Sequence, residues 1–308
     1  MDYIIGMDGG GTKTHCIITK INGEKLFECS GNASNFLVQG TEKVSETIYS
    51  LISECKNHLK INNEDIKAVL IGSTGAGRKN DAQKLENDFN TFAEKKGVKF
   101  KLFRVESDAR IALEGAFSGK PGSILIAGTG SIMFGKDGKG NIVRVGGFGR
   151  FLGDEGSGYV IGKKGLVAVS KEFDGRSGHT ILTEFIAEKF KIETSEKLIT
   201  EIYKNNFDIA SVAPLVITAA DQNDKTALKI IDEETDELIL HIESMLKKIN
   251  QPKLDIVLIG GLITNKNIYS KTFLNKVKNK LKNVNVKEPD SPPEMGAVLM
   301  AQEILKVI

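Results

Sequence analysis

The chain contains no tryptophan, so any aromatic stacking on a ligand falls to smaller rings. Cysteines number three, Cys16, Cys29 and Cys55, with no CxxC spacing. That pattern resembles neither a disulfide framework nor a zinc site, and Cys16 reads as a buried thiol in an apolar run. An excess of one charge is missing too. Lys plus Arg total 42 against 40 for Asp plus Glu, so a nucleic-acid or anionic-membrane partner is not expected. The basic run Lys276 to Lys282 reads as a solvated helix face. No apolar run reaches bilayer length. The start, MDYIIGMDGG, lacks a basic region followed by a long apolar stretch, so a reducing, cytoplasmic setting is the expectation.

What is present is a chain of 308 residues, 40% apolar and 27% charged, which suits two domains of ordinary size. Residues 3–8 read as a buried strand, HCIIT as a second and KLFECSG as a third, with Asn22-Gly23 as a hairpin turn. Residues 41–60 carry helical spacing through Val44, Ile48, Leu51, Ile52 and Cys55. IKAVLIG and FKLFRVES read as strands, 80–96 as a polar helix, and a further helix runs from Asp108. The segment SGKPG at 118–122 is the best linker. After it the opening pattern recurs as SILIA, the glycine turn GTGS, IMFG, a DGKGN turn and NIVRVG, which suggests two related half-molecules. The remainder is mostly helical, near 178–190, 194–204, 209–221, 225–249 and 266–282, interrupted by the strand LDIVLIGG. A last helix starts at Pro293.

The chemistry concentrates in glycine-rich turns. Gly6 to Gly11 has Walker A spacing, but Thr12 precedes Lys13, and a strand follows rather than a helix. Both the Walker A and the Rossmann fingerprints are therefore rejected. What remains is either a plain tight hairpin or a hairpin whose backbone N–H groups face a phosphate. In the second case Thr12 adds a hydroxyl and Asp8 holds a magnesium-bound water. A second turn of the same kind at Gly128 to Ser131 favours nucleotide binding. Asp108, at a strand-to-helix junction, suits an N-cap or a general base for a hydroxyl acceptor. Asp154, inside GDEGSG, suits a sugar-hydroxyl ligand or the cap of a helix beginning near Tyr159. Phe36, Phe148 and Phe151 are the available aromatics, each more simply read as core. Gly260-Gly261 ends a strand, either as a turn or as a close approach to a nucleotide.

MDGGGTKT, the Asp108 of ESDA, AGTGS, GGFGRFLGDEGSG and IGG occur in that order across most of the chain. This set resembles the N-acetylglucosamine kinases and the broader BadF/BadG/BcrA/BcrD-type ATPases, within the actin, hexokinase and Hsp70 superfamily. The resemblance implies an α/β chain of two RNase H-like domains, 1–118 and 119–293, each with a five-stranded mixed sheet. It also implies a cleft for nucleotide and sugar between them, and a helix at about 294–308 that packs back on the first domain. ATP with Mg²⁺ is the implied cofactor. Gly10, Gly11, Thr12, Lys13, Gly128, Thr129 and Gly130 match phosphate-binding positions, and Gly260 and Gly261 the adenosine motif. Asn35, Asp108, Ser131, Gly147, Phe148, Gly149, Arg150 and Asp154 match sugar-binding positions, with Asp108 also the catalytic base. Two departures stand out. The animal kinases carry tryptophan where this chain has Phe148, and the region around Pro214 matches poorly, so no adenine contact is assigned there.

The implied activity is phosphoryl transfer from ATP to the 6-hydroxyl of an N-acetylated amino sugar, N-acetylglucosamine or N-acetylmuramic acid. A glucosamine kinase, or an actin-like ATPase acting on a protein partner, is the alternative, and a homodimer stays open. Iron–sulfur activators of the superfamily need cysteines near their domain interface, whereas these three are N-terminal and scattered. The Cys-rich zinc motif and Glu-x-x-Gly-His segment of the repressor-and-kinase relatives are both missing.

Overall fold

The structure is a computed structural model that describes residues 1–307; position 308, the last of the expected C-terminal helix, lies outside them. In chain order the elements are β1 (Tyr3–Gly9), β2 (Lys13–Lys20), β3 (Lys25–Asn32), α1 (Phe36–Gln39), α2 (Thr41–Leu59), β4 (Ile66–Ser73), α3 (Lys79–Lys95), β5 (Phe103–Ser107) and α4 (Asp108–Ala116). Then come β6 (Gly122–Ala127), β7 (Ser131–Lys136), β8 (Ile142–Gly146), α5 (Gly158–Phe173), α6 (Leu182–Phe190), α7 (Ser195–Lys204), α8 (Ala213–Asp221) and α9 (Lys225–Ile249). The chain closes with β9 (Leu254–Ile259), α10 (Gly261–Thr264), α11 (Ile268–Lys280), β10 (Val284–Val286) and α12 (Pro293–Val307). Two compact units result: Met1–Pro121 with the tail from Glu288, and Gly122–Lys287.

The first unit is built on a mixed sheet of order β3-β2-β1-β4-β5. β1 to β3 form an antiparallel meander, while β4 runs parallel to β1 and β5 parallel to β4. Side-chain alternation splits its core in two. Ile5 and Met7 of β1, with Val69 and Ile71 of β4, face α2 and α3. Ile4, Ala68 and Leu70 face α4 and α12. Gly6 explains how close α12 comes, since a Cβ there would run into the carbonyl of Glu294 and a methyl of Val298. FKLFRVES is a strand only from Phe103. Phe100 and Leu102 instead turn inward and are buried.

The second unit repeats the topology, with order β10-β9-β6-β7-β8. β6 to β8 are the antiparallel meander, and β9 and β10 add in parallel. Helices α5, α8, α9 and α11 cover this sheet with one large apolar core. The helix expected near 178–190 begins only at Leu182, because Glu172 holds the preceding His179 ring and the Thr180 N–H. No helix of the described residues is long and apolar enough to cross a membrane.

The cysteines are not scattered in space. Cys16 lies directly opposite Cys29 in the β2–β3 ladder, and Cys55 of α2 packs onto both. Its sulfur stands 3.7 Å from that of Cys16 and 3.9 Å from that of Cys29. Strand register and helix packing bring together thiols that sequence spacing keeps apart, so spacing does not exclude a metal site here.

Candidate active site

In the first unit the expected site residues gather at the carboxyl ends of β1, β4 and β5, the side of an open α/β sheet where ligands bind. The glycine turn leaves β1 and closes with the Gly10 N–H donating to the Lys13 carbonyl at 3.0 Å. Neighbouring backbone holds it from below: Ser34 N–H donates to Gly10 O, and Thr74 N–H to Gly9 O. Gly11 has open space above its Cα, where a Cβ would meet nothing within 4 Å, and its backbone is not in the left-handed region. The fold therefore does not demand glycine at Gly11. Thr12 and Lys13 are exposed beside it.

Asp108 does not cap its helix. Ser107 is the N-cap of α4, its hydroxyl accepting the Arg110 N–H at 3.1 Å. Asp108 sits one position inside, its Oδ2 accepting from Thr74 Oγ1 at 2.8 Å and its Oδ1 from the Ala109 N–H at 2.8 Å. Each oxygen keeps a second lone pair for a ligand proton. Asn35 caps nothing with its side chain, although it stands at the N-cap of α1. Its Oδ1 is buried without a hydrogen-bond partner, next to Gly75. A buried acceptor left open in this way has room for a donor from water or from a ligand.

Asp8, at the end of β1, has its carboxyl pushed up to about 6. Burial is the main cause, the charges of Glu294 and Asp108 add to it, and His15 opposes it. Three acids share one weakly solvated corner, and a cation or a cation-bound water would relieve their repulsion. The three carboxylates do not meet closely enough to ligate one ion among them, so Asp8 is the residue suited to hold a divalent ion through a water, and Glu294 is a neighbour that the sequence reading missed.

The second unit repeats this arrangement. The turn at Gly128 to Gly130 closes by Gly128 N–H donating to Gly130 O. The N-terminus of α5 braces it, with Gly158 N–H donating to Gly128 O at 2.8 Å and Tyr159 N–H to Thr129 O at 3.1 Å. Gly260 packs against it so closely that a Cβ would strike the Ala127 carbonyl, and Gly261 starts α10 beside it. Gly128, like Gly11, has open space above it and no left-handed backbone.

Asp154 is not a helix cap either. Ser157 caps α5, and Asp154 sits in left-handed backbone at φ 61°. Its carboxyl is raised by burial, against backbone N–H donation from Ser131 and Gly149, with the Glu155 charge raising it further. These bonds tie the GDEGSG loop to the glycine turn. The Ser131 hydroxyl is buried and donates to the Glu155 carbonyl at 2.6 Å, so in this structure it braces the loop. Gly147 and Gly149 carry positive φ and turn the chain so that Phe148 and Phe151 project outward. These two aromatics are not core, being 64% and 81% exposed, whereas Phe36 is buried. Arg144 lies over the Phe148 ring, and Arg150 over Phe151.

Thr129, Gly130, Arg150 and Asp154 open on one cavity of about 1080 Å³. Its far wall is apolar and built by α5 and α7 through Leu166, Ile199, Ile202 and Tyr203. Pro214 stands exposed in the first turn of α8 and is not among its lining residues.

The supports of the loop were not read from sequence. Gly156 N–H donates to Glu234 Oε2 at 2.7 Å, and Tyr269 OH donates to Gly156 O at 2.6 Å. Lys164 completes the group at 2.6 Å from Glu234 Oε1. The available signal was a glutamate on the apolar stripe of α9, between Ile230, Ile231 and Leu238.

Comparison with known proteins places the chain among sugar kinases and related ATPases. The chain is 35% identical to an N-acetylmuramic acid/N-acetylglucosamine kinase of Clostridium acetobutylicum, over 98% of this chain and 99% of that one. It is 31% identical to an N-acetyl-D-glucosamine kinase of Dictyostelium discoideum, over 97% and 98% of the two. Its fold matches a crystal structure from Chromobacterium violaceum, provisionally named an N-acetylglucosamine kinase, with TM-score 0.74, 24% identity and coverage of 97% and 99%. Residues 5–301 match the BadF/BadG/BcrA/BcrD ATPase family, and the chain belongs to that family.

Proposed function

We propose that the protein is an ATP-dependent kinase that phosphorylates the 6-hydroxyl of an N-acetylated amino sugar, N-acetylglucosamine or N-acetylmuramic acid, in the cytoplasm. One observation carries the nucleotide half of this reading. Two hairpin turns of the same design, one per unit, each keep a glycine that the fold does not need, at Gly11 and Gly128. Backbone N–H groups at such turns suit the phosphates of ATP, with Thr12 and Thr129 adding hydroxyls. The sugar half rests on the two full-length relatives.

The chain's own residues then divide the work. Asp108, held by Thr74, accepts the proton of the sugar hydroxyl as its oxygen bonds to the γ-phosphorus. The bond from that phosphorus to the bridging oxygen breaks, and ADP leaves with the electron pair. Asp8 would hold Mg²⁺ through a water, and the ion supplies positive charge to the phosphates when bound. The open Asn35 Oδ1 accepts from a sugar hydroxyl, and the Asp154 carboxylate suits the same kind of donor. Discrimination at the 2-position falls to the 146–149 loop, whose glycines leave backbone and space beside the exposed Phe148 for an acetamido methyl. Arg150 suits the lactyl carboxylate of N-acetylmuramic acid.

The test is kcat/KM for N-acetylglucosamine, N-acetylmuramic acid, glucosamine and glucose. The first two should exceed glucose by orders of magnitude, because a site paired to an acetamido group is left with unmatched polar atoms when glucose binds. A preference for glucosamine would replace the acetamido site by an acid-lined one. Equal values for glucose would remove it.

A further inference from the structure

We propose that Cys16, Cys29 and Cys55 form a binding site for one thiophilic divalent cation of the Zn²⁺ class, which fastens α2 to the edge of the first sheet. Neither the phosphoryl-transfer chemistry nor the sugar site uses these residues. Among the described residues, this is the one group of three metal-ligating side chains that meet, all three sulfurs lying within 4.8 Å of one another. Two of the separations are 3.7 and 3.9 Å. Sulfurs bound at about 2.3 Å to one zinc lie roughly 3.8–4.0 Å apart, so the thiols already stand at the corners of a ligand triangle. No disulfide links them.

The surroundings choose the ion. Cys16 and Cys55 are buried in the apolar core that includes Met7, Ile18, Leu51 and Ile52. Soft thiolates in a dry setting favour a soft cation over Mg²⁺ or Ca²⁺. Three thiolates around a monovalent ion would leave two net charges buried, while a divalent ion leaves one. Cys29 is only partly buried, and the exposed Glu54 lies near its sulfur. That side offers an entry path and room for a water at a fourth position. The three ligands lie on β2, β3 and α2, so the ion would link the edge strand β3, its neighbour and the covering helix.

The test uses the whole reduced chain, stripped with a chelator and titrated with Cd²⁺. The expected result is an ultraviolet thiolate-to-cadmium charge-transfer band that saturates at one ion per chain. All three thiols should lose reactivity toward a disulfide reagent, and the melting temperature should rise. Cys29→Ser, at the most accessible position, should fold normally and weaken binding by about 100-fold or more; Cys55→Ser should do the same. Ions taken up by the Asp8 corner give no charge-transfer band, so the two sites are separable. A missing or non-saturating band, thiols that stay reactive, or an unchanged affinity in Cys29→Ser would overturn the proposal. So would air oxidation to a Cys16–Cys55 disulfide in a chain that takes up no cation when reduced.

Discussion

Asp8 and Asp108 carry the same charge, and each lies in the other's field, yet the account gives them different work. In the proposed reaction Asp108 takes the proton of the acceptor hydroxyl. Asp108→Asn keeps the shape and the Thr74 contact but removes the proton acceptor, so turnover should fall by about 10²–10⁴-fold while ATP binding by calorimetry stays nearly intact. Loss of ATP affinity in step with turnover would assign the residue to the nucleotide instead. For Asp8, the carboxyl in the folded chain titrates at about 6, above the ordinary 3.8. A raised carboxyl favours folding while protonated, and that contribution disappears as pH rises through about 6. Asp8→Asn should therefore be more stable than wild type at pH 7.5, with the difference shrinking as pH falls below 6. Mg²⁺ should raise the wild-type melting temperature at pH 7.5 and leave that of Asp8→Asn unchanged. A stability difference independent of pH would contradict the shared acidic corner. Both aspartates are legible in sequence from their places at strand ends. The cap of α4 was not, because Ser107 and Asp108 are both good caps and only the backbone decides between them.

At the scale of the element, the two glycine turns and the loop supports behave differently under substitution. Gly11→Ala and Gly128→Ala add a methyl into open space, so stability should hold or rise slightly while KM for ATP rises. If stability falls and KM for ATP does not, the phosphate role of these turns is wrong. Tyr269→Phe acts from behind the GDEGSG loop. It leaves the Gly156 carbonyl without its buried donor, a loss of about 1–3 kcal/mol in stability. KM for the sugar should rise more than KM for ATP, since the loosened segment carries Asp154; an equal rise in both would mean that Tyr269 supports the unit generally. Glycine spacing made the turns legible, since it separates a hairpin from a Walker A loop. The supports were hidden because Glu234 and Tyr269 reach Gly156 across 78 and 113 residues, and no local pattern encodes such contacts.

For the whole molecule, both five-stranded mixed sheets follow from one theme: a meander with a glycine turn after its first strand, extended by parallel strands. The meanders could be read because apolar runs and turn dipeptides are local. β10 could not, since its three residues are strand only through parallel pairing with β9. The cysteine triangle was equally hidden, being made by a ladder register and a helix face rather than by spacing. The architecture alone fits kinases and partner-switching ATPases alike, as a fold does not fix a function. One measurement separates them most directly: ATP turnover with Mg²⁺, with and without N-acetylglucosamine, followed by phosphorus NMR of the product. The account predicts slow turnover alone, an acceleration by orders of magnitude with the sugar, and one new phosphate ester on its 6-oxygen for each ADP formed. Turnover indifferent to the sugar, or phosphate released only as the free ion, would contradict it.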